Sequence, residues 1–147
     1  MEVSKKNHNI EIVKKSSIKN ISHFQGKHLL LELYGCNSEK LNDELYLRCQ
    51  INNAAKLAKA KVLNLVSNKF EPYGVTAIAL LAESHLSIHT WPESQYSAID
   101  IFTCGKSMSP ELASQFLIDN LEASTHFLQT IQRSYPEFID TQIEKAL

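Results

Sequence analysis

Glu83-Ser84-His85-Leu86-Ser87-Ile88-His89-Thr90-Trp91-Pro92-Glu93 gathers hydroxyls, two imidazoles and two carboxylates into one short stretch. Two familiar chemistries use such residue types, a shared metal ion and a Ser-His-acid hydrolase. His85 and His89 stand four apart, and in a helix both imidazoles would face one ion. Here Leu86 and Ile88 alternate with His85, Ser87, His89 and Trp91, which is the period of a strand. Four residues at ~3.3 Å each separate the two histidines by roughly 13 Å, too far to share a metal. Pro92 and the β-branched residues also argue against a helix, so no metal is expected. A Ser-His-acid hydrolase needs a nucleophile elbow, and no Gly-x-Ser-x-Gly surrounds Ser84. On the residues alone, a reactive strand and a structural polar edge both stand.

The elements around this stretch can be read from period and punctuation. Residues from about 28 to 34 read as a first, mostly buried strand closed by Gly35. Asn37 and Ser38 can cap a helix running to about residue 60, with Leu47, Ile51, Ala54, Ala55 and Ala58 on one face. Val62 to Val66 is a short strand, and Pro72-Tyr73-Gly74 turns the chain. Val75 to Ala82 is almost wholly apolar and reads as a central strand. Tyr96 to Cys104 alternates, with Ile99 and Ile101 opposite Asp100, Phe102 and Cys104.

Ser109-Pro110-Glu111 starts a helix expected to continue through Ala113, Phe116, Leu117, Leu121, Leu128 and Ile131, with Arg133-Ser134-Tyr135-Pro136 as its stop. His126 falls on its polar side. Short links between the middle strands favour antiparallel pairing, and two helices can cover one sheet face. The expected fold is α+β, a two-layer sandwich with a mainly antiparallel sheet. Its other face would present His85, His89, Asp100, Phe102 and Cys104 to a site or a subunit interface.

The 147 residues suffice for one domain, and a net charge of −1 gives no field built for nucleic acid or membrane. Residues 1–25 read as a polar arm that carries the basic cluster Lys5, Lys6, Lys14, Lys15 and Lys19. Residues 26–147 read as the domain. No apolar run suits a signal peptide or a bilayer span. Cys36, Cys49 and Cys104 are an odd number without a CxxC pair, which points to free thiols in a reducing cytoplasm. Cys36 and Cys49 are read as packing residues.

The stretch from Glu83 to Glu93 resembles the signature around the self-processing serine of prokaryotic S-adenosylmethionine decarboxylases of the short bacterial and archaeal class. Gly26-Lys27-His28, Leu33-Tyr34-Gly35-Cys36, Leu41-Asn42-Asp43, Phe70, Pro72-Tyr73-Gly74-Val75-Thr76 and the Phe-Thr-Cys-Gly that ends at Gly105 follow in the family's order. The likeness runs from about residue 26 to 131. Ser94-Gln95 stands where the family commonly has a glycine before the tyrosine, and Ser97 replaces a usual alanine. The N-terminal arm is longer than in the shortest members.

That resemblance implies a proenzyme that cuts itself between Glu83 and Ser84 into chains 1–83 and 84–147. The Ser84 hydroxyl attacks the Glu83 carbonyl and turns the amide into an ester. Elimination then leaves a dehydroalanine, which hydrolyses with loss of ammonia to a pyruvoyl group. By position His89 is the base for the elimination, a role suited to imidazole, and Thr76 supports processing. In turnover the pyruvoyl group forms a Schiff base with S-adenosylmethionine and takes the electrons left by departing carbon dioxide. Cys104 matches the proton donor.

Phe70 and Trp91 match aromatics that sandwich the adenine, and Glu93 matches the carboxylate that binds the ribose. On their own residue types, Phe70 could equally be core, Trp91 a half-buried strand aromatic and Cys104 a small buried hydrophobe. His85 is left between a structural and a substrate-adjacent role. The product would be the aminopropyl donor for polyamine (spermidine) synthesis, and the family forms dimers with sites at the interface. Two rival readings are a same-scaffold decarboxylase of ornithine or arginine, and an unprocessed homologue that regulates a partner.

Overall fold

Every second residue in four of the strands is apolar, and that period decides which side of the sheet each side chain faces. In β1 (Gln25–Tyr34) Leu29, Leu31 and Leu33 are buried. So are Val75, Ala77, Ala79 and Leu81 of one strand, Leu86 and Ile88 of the next, and Ile99 and Ile101 of a fourth. The computed structural model describes residues 25–104 and 107–134. The polar arm before residue 25, Gly105 and the Tyr135-Pro136 stop lie outside the described residues.

After β1 come α1 (Ser38–Leu41), α2 (Glu44–Leu57), β2 (Val62–Lys69), β3 (Val75–Leu81) and β4 (Ser84–Trp91). A 3₁₀ turn (Pro92–Ser94), β5 (Tyr96–Cys104), α3 (Pro110–Asn120) and β6 (Thr125–Ser134) complete the order. The described strands form one six-stranded antiparallel sheet, β2-β3-β4-β5-β1-β6. Leu47, Ile51, Ala54 and Ala55 of α2 and Ala113 and Leu117 of α3 join the strand residues in one buried cluster. Each large side chain so buried contributes roughly 1.5–3 kcal/mol. The expected α+β sandwich, with helices on one face and a polar opposite face, is the fold observed.

Two expectations change. The first helix is broken after Leu41: Asn42 caps the end of α1, and the Asp43 side chain accepts the Tyr46 N–H to start α2. The last helix stops at Asn120, and residues 125–134 are an edge strand instead of its continuation. Glu122 takes a left-handed φ of 57° and the chain reverses there. Lys40 and Asn37 hold its carboxylate at 2.8 and 3.0 Å. The Ser124 N–H then donates to Tyr34 and opens pairing with β1. Thr125, Phe127, Thr130 and Ile131 suit a strand. His126 therefore sits on β6 and not on a helix.

One glycine fixes the turn between β2 and β3. Gly74 has φ 102°, its carbonyl accepts the Phe70 N–H at 2.8 Å, and a Cβ there would lie 2.8 Å from the Thr90 carbonyl oxygen. Thr90 is itself pinned, accepting from the Val75 N–H and donating to the Leu41 carbonyl, each at 2.8 Å. Gly74→Ala should therefore cost about 1–3 kcal/mol from backbone conformation alone, read as a lower urea midpoint. A change under about 0.5 kcal/mol would show that this turn is not constrained as described.

Candidate active site

The link between β3 and β4 is two residues, Ala82 and Glu83, with Leu81 paired to Ser84. It is held from both sides. The Ala82 N–H donates to the Lys61 carbonyl at 2.9 Å, and the Lys61 N–H donates to Glu83 Oε2 at 3.0 Å. From β5, the Cys104 N–H donates to the Glu83 carbonyl oxygen at 3.0 Å. The carbonyl of the Glu83–Ser84 peptide is thus polarised by a fixed backbone donor, and Cys104 is brought to it by register. Thr103, the cross-strand partner of Ser84, is 2% exposed, and its hydroxyl has no partner among the described residues.

Ser84 Oγ lies 3.3 Å from His85 Nδ1. The His85 ring sits on the open sheet face against Phe102 (centroids 5.9 Å) and edge-on to His28 (6.3 Å). His28 Nε2 is 3.1 Å from Asp100 Oδ1, and the Arg133 guanidinium stands 4.8 Å over the Phe102 ring. Burial first, then the electrostatic influence of His28 and Arg133, hold the His85 imidazole below the usual histidine range, against the opposing pull of Asp100.

The far end of β4 holds a different group. Thr76 Oγ1 and His89 Nδ1 are hydrogen-bonded at 2.9 Å across the β3–β4 pair. Trp91 stacks on Tyr96 (5.1 Å), and Tyr96 on Tyr34 (5.5 Å). The Tyr96 hydroxyl donates to Glu32, and burial together with that carboxylate pushes its pKa up to about 12. Phe70, half exposed, hangs from the turn closed by Gly74, which abuts Thr90 and Pro92. Glu93 is exposed on the 3₁₀ turn and lines a cleft of about 520 Å³ with Ser38, Asn42 and Tyr73.

The residues singled out from sequence therefore fall into two clusters. Glu83, Ser84 and Cys104 meet at one end of β4; Thr76, His89, Phe70, Trp91 and Glu93 meet at the other. Five residues at ~3.3 Å separate Ser84 from His89 by roughly 16 Å, beyond direct proton transfer. Within one chain the expected site does not converge. Phe70 is not core, because half its surface is open. Cys36 is buried and its pKa is pushed up to about 11 by that burial, as a packing residue requires. Cys49 is exposed, which corrects its reading as packing.

Sequence reading missed His28 and Thr103. His28 stands in an apolar strand and gains meaning only from its register opposite Phe102. Thr103 shows no signal except its place beside Cys104.

A family model described as S-adenosylmethionine decarboxylase matches residues 27–134. An S-adenosylmethionine decarboxylase proenzyme of Prochlorococcus marinus is 54% identical over 118 residues, which cover 80% of this chain and 94% of that one. Another, from a Synechococcus strain, is 56% identical over 111 residues, 76% of this chain and 87% of its own. The crystal structure of the adenosylmethionine decarboxylase from Aquifex aeolicus is similar at a TM-score of 0.72 and 32% identity, covering 78% and 94% of the two chains. Sequence and fold agree over the same span: the chain belongs to the S-adenosylmethionine decarboxylase family.

Proposed function

We propose that the chain is a proenzyme that cleaves itself between Glu83 and Ser84 and then decarboxylates S-adenosylmethionine as a pyruvoyl enzyme. The product is an aminopropyl donor for polyamine (spermidine) synthesis. The observation that carries this reading is the Glu83–Ser84 peptide, set in a tight turn with its carbonyl on the Cys104 N–H. Ser84 Oγ attacks the Glu83 carbonyl, the amide becomes an ester, and loss of the Ser84 α-proton expels the Glu83 carboxylate. The dehydroalanine left at residue 84 tautomerises and hydrolyses, releasing ammonia. Residues 1–83 and 84–147 are then separate chains of one domain. Three free thiols suit a reducing cytoplasm.

The surroundings of residue 84 fit a carbonyl group there. The unpartnered Thr103 hydroxyl directly across the sheet can donate to it, and His85 stands beside it. A pyruvoyl group at this position supplies an electrophilic carbonyl that takes up the electrons freed as carbon dioxide departs. Cys104 returns a proton to the substrate α-carbon. Phe70 and Trp91 offer aromatic faces to the adenine, and Glu93 accepts from the ribose hydroxyls.

The separation of the two clusters gives the site its second requirement. Ser84 and Cys104 of one subunit work with His89, Thr76, Phe70, Trp91 and Glu93 of a second copy in a two-fold dimer. Thr76 fixes the orientation of the His89 imidazole that removes the Ser84 α-proton. Exposed Val66, Ile78 and Leu80 lie on the same open face and suit cover by that copy.

Carboxyl-labelled S-adenosylmethionine should release labelled carbon dioxide without pyridoxal phosphate or added metal, and Ser84→Ala should release none. Phe70→Ala should raise KM about tenfold and change kcat less, because stacking on a base is worth about 1–3 kcal/mol. Turnover of ornithine or arginine in place of S-adenosylmethionine would overturn the substrate assignment.

Shared sites predict complementation. His89→Ala alone should stall as an ester that hydroxylamine cuts. Co-expressed with Ser84→Ala, the His89→Ala chain should be cleaved, because the mixed dimer holds one site with both residues intact. No cleavage in the mixed dimer would show that His89 does not act across subunits.

A further inference from the structure

The self-cleavage proposed above gives the Ser84 α-proton to His89 of the second copy and assigns no base to the Ser84 hydroxyl, from which His89 of the same chain lies roughly 16 Å along β4. We propose that His85 is a catalytic residue for that step, taking the Ser84 hydroxyl proton while the Cys104 backbone N–H receives the charge on the Glu83 carbonyl oxygen. This role rests on the self-cleavage reading.

A serine hydroxyl is a weak nucleophile until a neighbouring base accepts its proton. His85 Nδ1 is 3.3 Å from Ser84 Oγ, a contact that tightens as the proton moves. To accept, the imidazole must be neutral with its proton on Nε2. Its surroundings favour the neutral form: the ring is partly buried against Phe102, and the neighbouring His28 and Arg133 oppose a positive charge on it. Asp100, bonded to His28, pulls the other way, so its negative charge favours the transient imidazolium. Register supports the arrangement, because His85 lies opposite Phe102 and Ser84 opposite Thr103, next to Cys104.

The Cys104 N–H already donates to the Glu83 oxygen at 3.0 Å, the distance at which a fixed donor stabilises a developing oxyanion. The step balances without a co-reactant. The Oγ–C bond forms as the proton passes to Nδ1. The C–N bond then breaks as the same proton is given to the departing Ser84 nitrogen, leaving an ester and a free amine.

The test uses the full chain and follows cleavage by gel and by hydroxylamine, which cuts an ester far faster than an amide. His85→Ala and His85→Gln should each cleave at least about 10²-fold more slowly than the unaltered chain, the usual contribution of a positioned base. Both should accumulate as a hydroxylamine-resistant amide, unlike His89→Ala, which stalls one step later as the ester. Added imidazole should speed cleavage of His85→Ala, a recovery that a misfolded chain would not show. Cleavage of both variants within about twofold of the unaltered rate, or their accumulation as ester, would overturn the assignment. Either result leaves self-cleavage standing so long as Ser84→Ala stays whole and the unaltered chain is cut. An unaltered chain that never cuts would remove both.

Discussion

The hydrogen bond from the Cys104 N–H to the Glu83 carbonyl is the contact from which the rest of the site is measured. It closes the β4–β5 ladder at the β3–β4 turn and sets the pairs His85 with Phe102 and His89 with Ala98. A slip of one residue would send His85 and His89 into the core and bring Leu86 and Ile88 to the open face. Burial of Leu86, Ile88, Ile99 and Ile101 makes that slip costly. The hydrophobic pattern of the sheet therefore holds the reactive carbonyl against its donor. On the other side of the turn, Lys61 pins Ala82 and the Glu83 side chain. The Glu83–Ser84 peptide is thus tethered from both sides.

The same strand is the ground for proposing that two copies share a site. A straight strand cannot bring its two ends together, so Ser84 and His89 stay apart whatever the packing. The far end is furnished differently, with half-exposed aromatics, an exposed carboxylate and a hydrogen-bonded threonine–histidine pair. Near Ser84 the polar groups are His85 and the His28–Asp100 pair, the two imidazole centroids 6.3 Å apart. In the proposed function one end breaks a peptide bond and the other holds a nucleoside. A two-fold axis through the open face would set one against the other.

Much of this was legible in the sequence. Alternation in β4 and β5 placed His85, His89, Asp100, Phe102 and Cys104 on one face, because a half-buried strand leaves that trace whatever surrounds it. The split of the first helix at Asn42-Asp43 was visible in principle, since two successive capping residues sit inside an apolar pattern. The end of α3 was not. Its stop residue is Glu122, neither glycine nor proline, held left-handed by Lys40 and Asn37 from 82 and 85 residues away in the chain. Leu128 and Ile131 continue the helical spacing by coincidence, so β6 was read as helix. The division of the site was legible in part: spacing along a strand gives a distance and the resemblance implied sites at an interface, but residue types do not say which residues each copy supplies. The partnership of His85 with Ser84 depends on a local turn that no periodicity encodes.

Intact-mass spectrometry of the purified, unaltered chain tests the central claim most directly. Self-cleavage requires two species. One ends at Glu83 with an ordinary carboxylate. The other begins at residue 84 with the mass of a pyruvoyl group in place of serine, one ammonia lighter than the encoded fragment. A chain that decarboxylates S-adenosylmethionine while remaining a single unbroken polypeptide would contradict the account.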